Sequence, residues 1–122
     1  VNIQDGLLYT EHDEWVKVDG DVVTVGITDF AQDQLGEIVH IELPDVGTQV
    51  APGDRVCEVE SVKAVAEVYT PVGGEVIEVN EALSGAEDQI NNDPYGAWMF
   101  RIRATSAPAG LLDAEGYRGK VG

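Results

Sequence analysis

Between Val50 and Asn80 the chain alternates valine-rich runs with tight turns, a spacing that leaves room for little except short β-strands. Pro52-Gly53-Asp54 makes a turn, Arg55 to Glu60 a strand, Ser61 to Ala64 a link and Val65 to Tyr69 a second strand. Pro71-Val72-Gly73-Gly74 then turns into Glu75 to Asn80. Proline presets φ and glycine tolerates positive φ, so such clusters end one strand and begin the next. Cys57-Glu58-Val59-Glu60 and Ile77-Glu78-Val79-Asn80 echo each other weakly, as two similar halves of a sandwich do.

The flanks follow the same grammar. Trp15 to Val18, the turn Asp19-Gly20-Asp21 and Val22 to Ile27 read as a hairpin. Thr28 or Asp29 caps a short helix through Phe30, Ala31 and Leu35, and Gly36 stops it. In the next strand Val39, Ile41 and Leu43 share one face, His40 and Glu42 the other, before Pro44-Asp45-Val46-Gly47 turns. Asn80 to Asn92 is a helical turn or a loop, and Asn91 to Gly96 a turn around Pro94. Trp98, Phe100 and Ile102 alternate with Met99, Arg101 and Arg103 in a last strand. Leu111 to Glu115 suggests a short helix interrupted at Gly116. The expected fold is all-β, a sandwich or flattened barrel, with short helical additions near residues 28–35 and at the C-terminus.

At 122 residues one domain over 1–122 is expected, with a monomer as the simplest state. Twenty-three acidic against seven basic residues argue against a phosphate backbone as partner and disfavour anionic membranes. The acidity serves solubility, docking onto basic partner surfaces, or both. No apolar run approaches a membrane span and no charged-then-apolar leader opens the chain. Cys57 has no second cysteine to pair with, which points to a reducing, cytoplasmic setting and to simple core packing. His12 and His40 are too far apart in sequence to suggest a metal site. Trp15, Phe30, Trp98 and Phe100 read as core or edge packing, and no nucleophile-base pair or phosphate loop is present.

One residue stands out chemically. Lys63, one of three lysines in a chain of net charge −16, lies in Glu60-Ser61-Val62-Lys63-Ala64, where two strands meet between small residues. A lysine on a rigid exposed turn is suited to modification by another enzyme, and Ser61 and Ala64 leave that enzyme room.

Those residues, with Tyr9-Thr10, Glu14-Trp15-Val16, Val25 to Gln32, Val39 to Pro44, Gly74 to Asn80 and Asp93-Pro94-Tyr95-Gly96, resemble the H protein family of the glycine cleavage system over nearly the whole length. The resemblance implies a barrel-sandwich hybrid fold and a non-catalytic carrier with lipoate amide-linked to Lys63. A lipoate ligase or lipoyl transferase would attach it. The implied cargo is an aminomethyl group, passed among a PLP-dependent glycine decarboxylase, an aminomethyltransferase and dihydrolipoamide dehydrogenase. Glu14 and Glu67 are implied contacts for the ammonium form of that cargo in a cleft.

Neighbouring families fit less well. Biotin carriers flank their lysine with methionines, where Val62 and Ala64 stand here. Lipoyl domains of 2-oxo acid dehydrogenases usually carry Asp-Lys-Ala within longer acyltransferase chains. The chain also departs from the H-protein pattern: Asp13 replaces the histidine before Glu14-Trp15, and His12 stands one place earlier. Glu67 takes the place of an aspartate, Cys57 that of a small or apolar residue, and Gly96-Ala97-Trp98 is one residue short. These departures leave an alternative open, an H-like lipoate-binding protein carrying sulfur intermediates for a heterodisulfide-reductase-like complex.

Overall fold

The computed structural model describes residues 1–121, and its strands form two antiparallel sheets. The larger contains β1 (Leu8–Tyr9), β2 (Glu14–Asp19), β3 (Val22–Ile27), β9 (Phe100–Ala104), β8 (Gly74–Val79) and β5 (Gln49–Val50), in that order. The smaller contains β4 (Ile38–Glu42), β6 (Arg55–Ser61) and β7 (Val65–Tyr69). The two echoing segments, β6 and β8, lie one in each sheet. Buried Val16, Val25, Val76 and Ile102 of the larger sheet and Ile41, Val59 and Val68 of the smaller belong to one apolar cluster. The expected all-β sandwich with helical additions is the observed architecture.

The hairpin of β2 and β3 pairs in register, with Trp15 opposite Gly26 and Asp19 opposite Val22. Helix α1 (Asp29–Leu35) starts where Thr28 Oγ1 accepts the amide of Ala31 at 3.1 Å, and it ends at Gly36, whose φ is 78°. Asn80 to Asn92 contains both a 3₁₀ turn (Glu81–Leu83) and a short helix α2 (Asp88–Asn92). Among the described residues no helix is long and apolar enough to cross a membrane.

Three local expectations fail, each for a physical reason. Val39 does not share the inner face with Ile41, because a register shift between Ile38 and His40 turns it outward to 44% exposure. Ile38 takes its place in the core. Met99 is fully buried beside Phe100 instead of alternating outward with Arg101. It precedes β9, and its amide donates to Val25 O at 2.9 Å. The C-terminal helix α3 is Ala114–Val121, running through Gly116 rather than breaking there. Asp113 Oδ1 caps the Gly116 amide at 2.8 Å, while Leu112 instead bridges Tyr9 in an extended conformation. Burial of Tyr117 on α3, with its ring stacked on Tyr9 at 4.6 Å, overrides the glycine's weak helix propensity.

Candidate functional site

Lys63 is exposed at the tip of the β6–β7 hairpin. The hairpin is closed by Ser61, whose amide donates to Ala64 O at 2.8 Å. Its hydroxyl accepts the amides of Lys63 (3.3 Å) and Ala64 (3.0 Å) and donates to Ala64 O (3.2 Å). Ser61 is therefore a buried staple of the turn, not open space for a modifying enzyme. Val62 and Val65 flank the lysine as exposed apolar residues.

The hairpin rests on the loop after α1. Val62 donates its amide to Glu37 O at 3.0 Å. Asn91 of α2 fixes that loop, giving Nδ2 to Gln32 Oε1 (2.9 Å) and Gly36 O (2.8 Å) and accepting the Ile38 amide at 2.9 Å. At Gly36 a Cβ would stand 3.6 Å from Lys63 Cε, so the lysine stem lies along a glycine.

At the other end of β7 a cleft of about 510 Å³ opens between the N-terminal segment, β7 and the approach to α3. Thr10, His12, Glu14, Tyr69, Leu112 and Lys120 are among its lining residues. Glu14 is only 1% exposed, and its two oxygens accept from neutral donors: Thr10 Oγ1 at 2.7 Å and the Tyr69 amide at 2.6 Å. Burial pushes the Glu14 carboxyl up to about 7 against those two hydrogen bonds, with nearby Asp13 adding slightly. The His12 ring leans on Tyr69 with centroids 4.6 Å apart.

Asp13 turns the chain into this site with φ at 65°, a left-handed conformation that Asp tolerates better than most side chains. Its backbone oxygen accepts the Thr28 amide at 3.0 Å. Tyr117 donates to Asp13 Oδ1 at 3.0 Å, so Thr28 must supply the hydrogen of the 2.7 Å Thr28–Tyr117 bond. Lys120 Nζ lies 3.4 Å from Asp13 Oδ1 at the cleft wall. Asp13 thus holds α3 in place.

A family model described as "Glycine cleavage H-protein" matches residues 7–121. A probable glycine cleavage system H protein of Pyrococcus horikoshii is 54% identical over 120 residues, covering 94% of this chain and 89% of that protein. The glycine cleavage system H protein of Alteromonas mediterranea is 51% identical over 124 residues, covering 98% and 96%. The crystal structure of the H protein from Mycobacterium marinum superposes with a TM-score of 0.89 at 38% identity, over 97% of this chain and 98% of that one.

The chain belongs to the glycine cleavage H-protein family.

Within that family frame, the residues singled out from sequence separate into three places. Lys63 is at the hairpin tip and Glu14 is inside the cleft. Glu67 is in neither: it is exposed, and its carboxylate takes the Tyr69 hydroxyl hydrogen at 2.6 Å, which raises the phenol's pKa. Cys57 is 3% exposed, and burial pushes its thiol up to about 12. Thr10, Tyr69 and Lys120 escape a sequence reading as cleft residues. They lie on three separate segments, and no local spacing links them.

Proposed function

We propose that this chain is the lipoyl carrier of a glycine cleavage system, with lipoate in amide linkage on Lys63. Family membership over residues 7–121 supports the carrier role, and the single observation that carries the site is Lys63 exposed on a stapled hairpin. The residues fit the group: among the described residues Lys63 makes no ion pair, and it is exposed at the tip of its turn. When bound, lipoate supplies a dithiolane that takes up and releases an aminomethyl group and is reoxidised by a partner.

The chain's own part is positional. Lys63 presents its amine to a lipoate ligase or lipoyl transferase, and acylation makes the protein one unit more negative. Partners are a PLP-dependent glycine decarboxylase, an aminomethyltransferase and dihydrolipoamide dehydrogenase, and the acidic surface suits basic docking sites on them. Residues 1–122 act as one carrier domain, monomeric and cytoplasmic. Glu14 receives an ammonium group inside the cleft, whose lining also includes the paired His12 and Tyr69 rings and Leu112. Glu67 acts only at the rim, by holding the Tyr69 hydroxyl. Strands rise about 3.4 Å per residue, so Tyr69 lies roughly 14 Å along β7 from Val65, a span an extended lipoyl-lysine arm can cover.

No observation favours the sulfur-carrier alternative, since Cys57 is a buried, protonated thiol. Intact mass after incubation with a lipoate ligase tests the site: one lipoyl adduct is expected, and none on Lys63→Ala. The lipoylated protein should also support glycine decarboxylation when mixed with the other components of the system. An adduct retained by Lys63→Ala would overturn the site, and absence of turnover would overturn the cargo.

A further inference from the structure

The hydrogen bonds around Glu14 have only one possible polarity. Thr10 Oγ1 accepts the amides of His12 and Glu14, both at 3.2 Å, which occupies its two lone pairs. Its hydroxyl hydrogen therefore goes to Glu14 Oε1. The Tyr69 amide at Oε2 is a donor by nature. Neither neighbour can accept a hydrogen from Glu14. If the carboxyl is protonated, its O–H has only the cleft side left to point to.

An ammonium group entering the cleft would need that same side. Among the described residues no cation pairs with Glu14; Lys120, the lysine lining the cleft, is held by Asp13. We propose that a proton and a primary ammonium group occupy the free edge of the Glu14 carboxyl in turn, so that seating the ammonium expels one proton from the cleft. This rests on the cargo reading given above. The exchange balances as carboxylic acid plus R–NH₃⁺ giving carboxylate paired with R–NH₃⁺ plus one H⁺ released to solvent. Only the O–H bond breaks.

Other charged and titratable groups face the same space. Glu11, His12 and Tyr69 line the cleft from β7 and the N-terminal segment, and Lys120 lines it from α3. Asp13 stands between Lys120 and the Tyr117 hydroxyl, and Glu67 stands behind Tyr69. None of them is hydrogen-bonded to the Glu14 carboxyl except Tyr69, and that through its amide. The buried acid being pushed up to about 7 fits an edge that holds a proton when the cleft is empty. Thr10 is then a positioning residue: it spends its hydrogen on one oxygen and keeps the proton on the cleft side.

The test is a ¹³C NMR titration of the Glu14 side-chain carboxyl, assigned with Glu14→Gln, in lipoylated protein with and without the aminomethyl load. Without load the carboxyl should titrate near neutrality. With load its proton affinity should fall about a hundredfold, as a contacting cation produces. Thr10→Val should raise the midpoint in the unloaded protein, and Thr10→Ser should restore it. Labelling the carried methylene makes the two layers separable through its nuclear Overhauser contacts to Thr10 and Tyr69. Contacts present with an unmoved Glu14 midpoint overturn the exchange alone, whereas absent contacts overturn the parked cargo as well.

Discussion

The carboxylate of Glu14 accepts the amide hydrogen of Tyr69 at 2.6 Å, joining residues 55 apart in the chain. The contact fixes the start of β2 to the last residue of β7, the strand whose first residues leave the Lys63 turn. Hairpin and cleft are therefore opposite ends of one strand. The strand between them sets their separation.

The buried Glu14 makes the folded protein sensitive to pH. Its carboxyl is raised from 4.5 to about 7, so between those values the folded state holds a proton that the unfolded chain has lost. Stability from this group is complete below about pH 4.5 and is lost as pH rises through about 7, a penalty of about 3 kcal/mol at most. Glu14→Gln should flatten that part of the profile. Urea unfolding at pH 5 and pH 8 checks it: the difference between the two pH values should be smaller in the variant, and an unchanged difference would contradict the assignment.

Much of the frame is legible in the chain because it is local. The β2–β3 hairpin, the Thr28 cap and the Gly36 stop each depend on neighbours within a few residues. The Lys63 turn is legible for the same reason. The cleft is not, because Thr10, Tyr69 and Lys120 meet only through sheet pairing and the docking of α3. Glu67 shows how sequence proximity misleads. Two residues before Tyr69, it shares that residue's face of β7 as alternation predicts, yet it lies exposed beyond the cleft and meets it only through the Tyr69 hydroxyl. The bulge that exposes Val39 was equally hidden, since alternation alone cannot reveal an inserted residue.

Asn91 carries more of the lysine platform than its place on a short helix suggests. Its three hydrogen bonds hold Gln32, Gly36 and Ile38, directly beneath the Glu37 carbonyl that receives the Val62 amide. Asn91→Ala should cost about 2 kcal/mol, because the backbone groups it served are only partly rescued by water. Amide exchange at Val62 should speed up with it. A variant equally destabilised but with native exchange at Val62 would disconnect α2 from the hairpin.

Ser61 should matter for order in the turn more than for global stability. Ser61→Ala removes the hydroxyl that takes two turn amides, yet leaves the Ser61 N–H to Ala64 O bond in place. A loss of about 1 kcal/mol is expected. Relaxation measurements should show Lys63 and Ala64 more mobile, and acylation of Lys63 by ligase should slow. Ser61→Thr keeps the hydroxyl and should retain more of the native rate than the alanine variant. Equal rates in all three would leave the staple without a role in modification.

Gly26 is required by the indole it faces. Opposite Trp15 across the β2–β3 pair, a Cβ at Gly26 would fall 2.6 Å from both Cε2 and Nε1 of that ring. The ring cannot simply swing away, because its Nε1 donates to Pro94 O at 3.0 Å and the side chain is buried. Gly26→Ala should therefore cost about 1–3 kcal/mol, the usual range for overpacking a filled interior. Trp15→Phe removes the atoms that clash but also the bond to Pro94, so alone it should destabilise as well. Combined, the two changes should cost less than their sum, since the smaller ring makes room for the methyl group. Urea unfolding of the four proteins in this cycle measures the coupling; strict additivity would mean the strain is absorbed by backbone movement, not by the Trp15 ring.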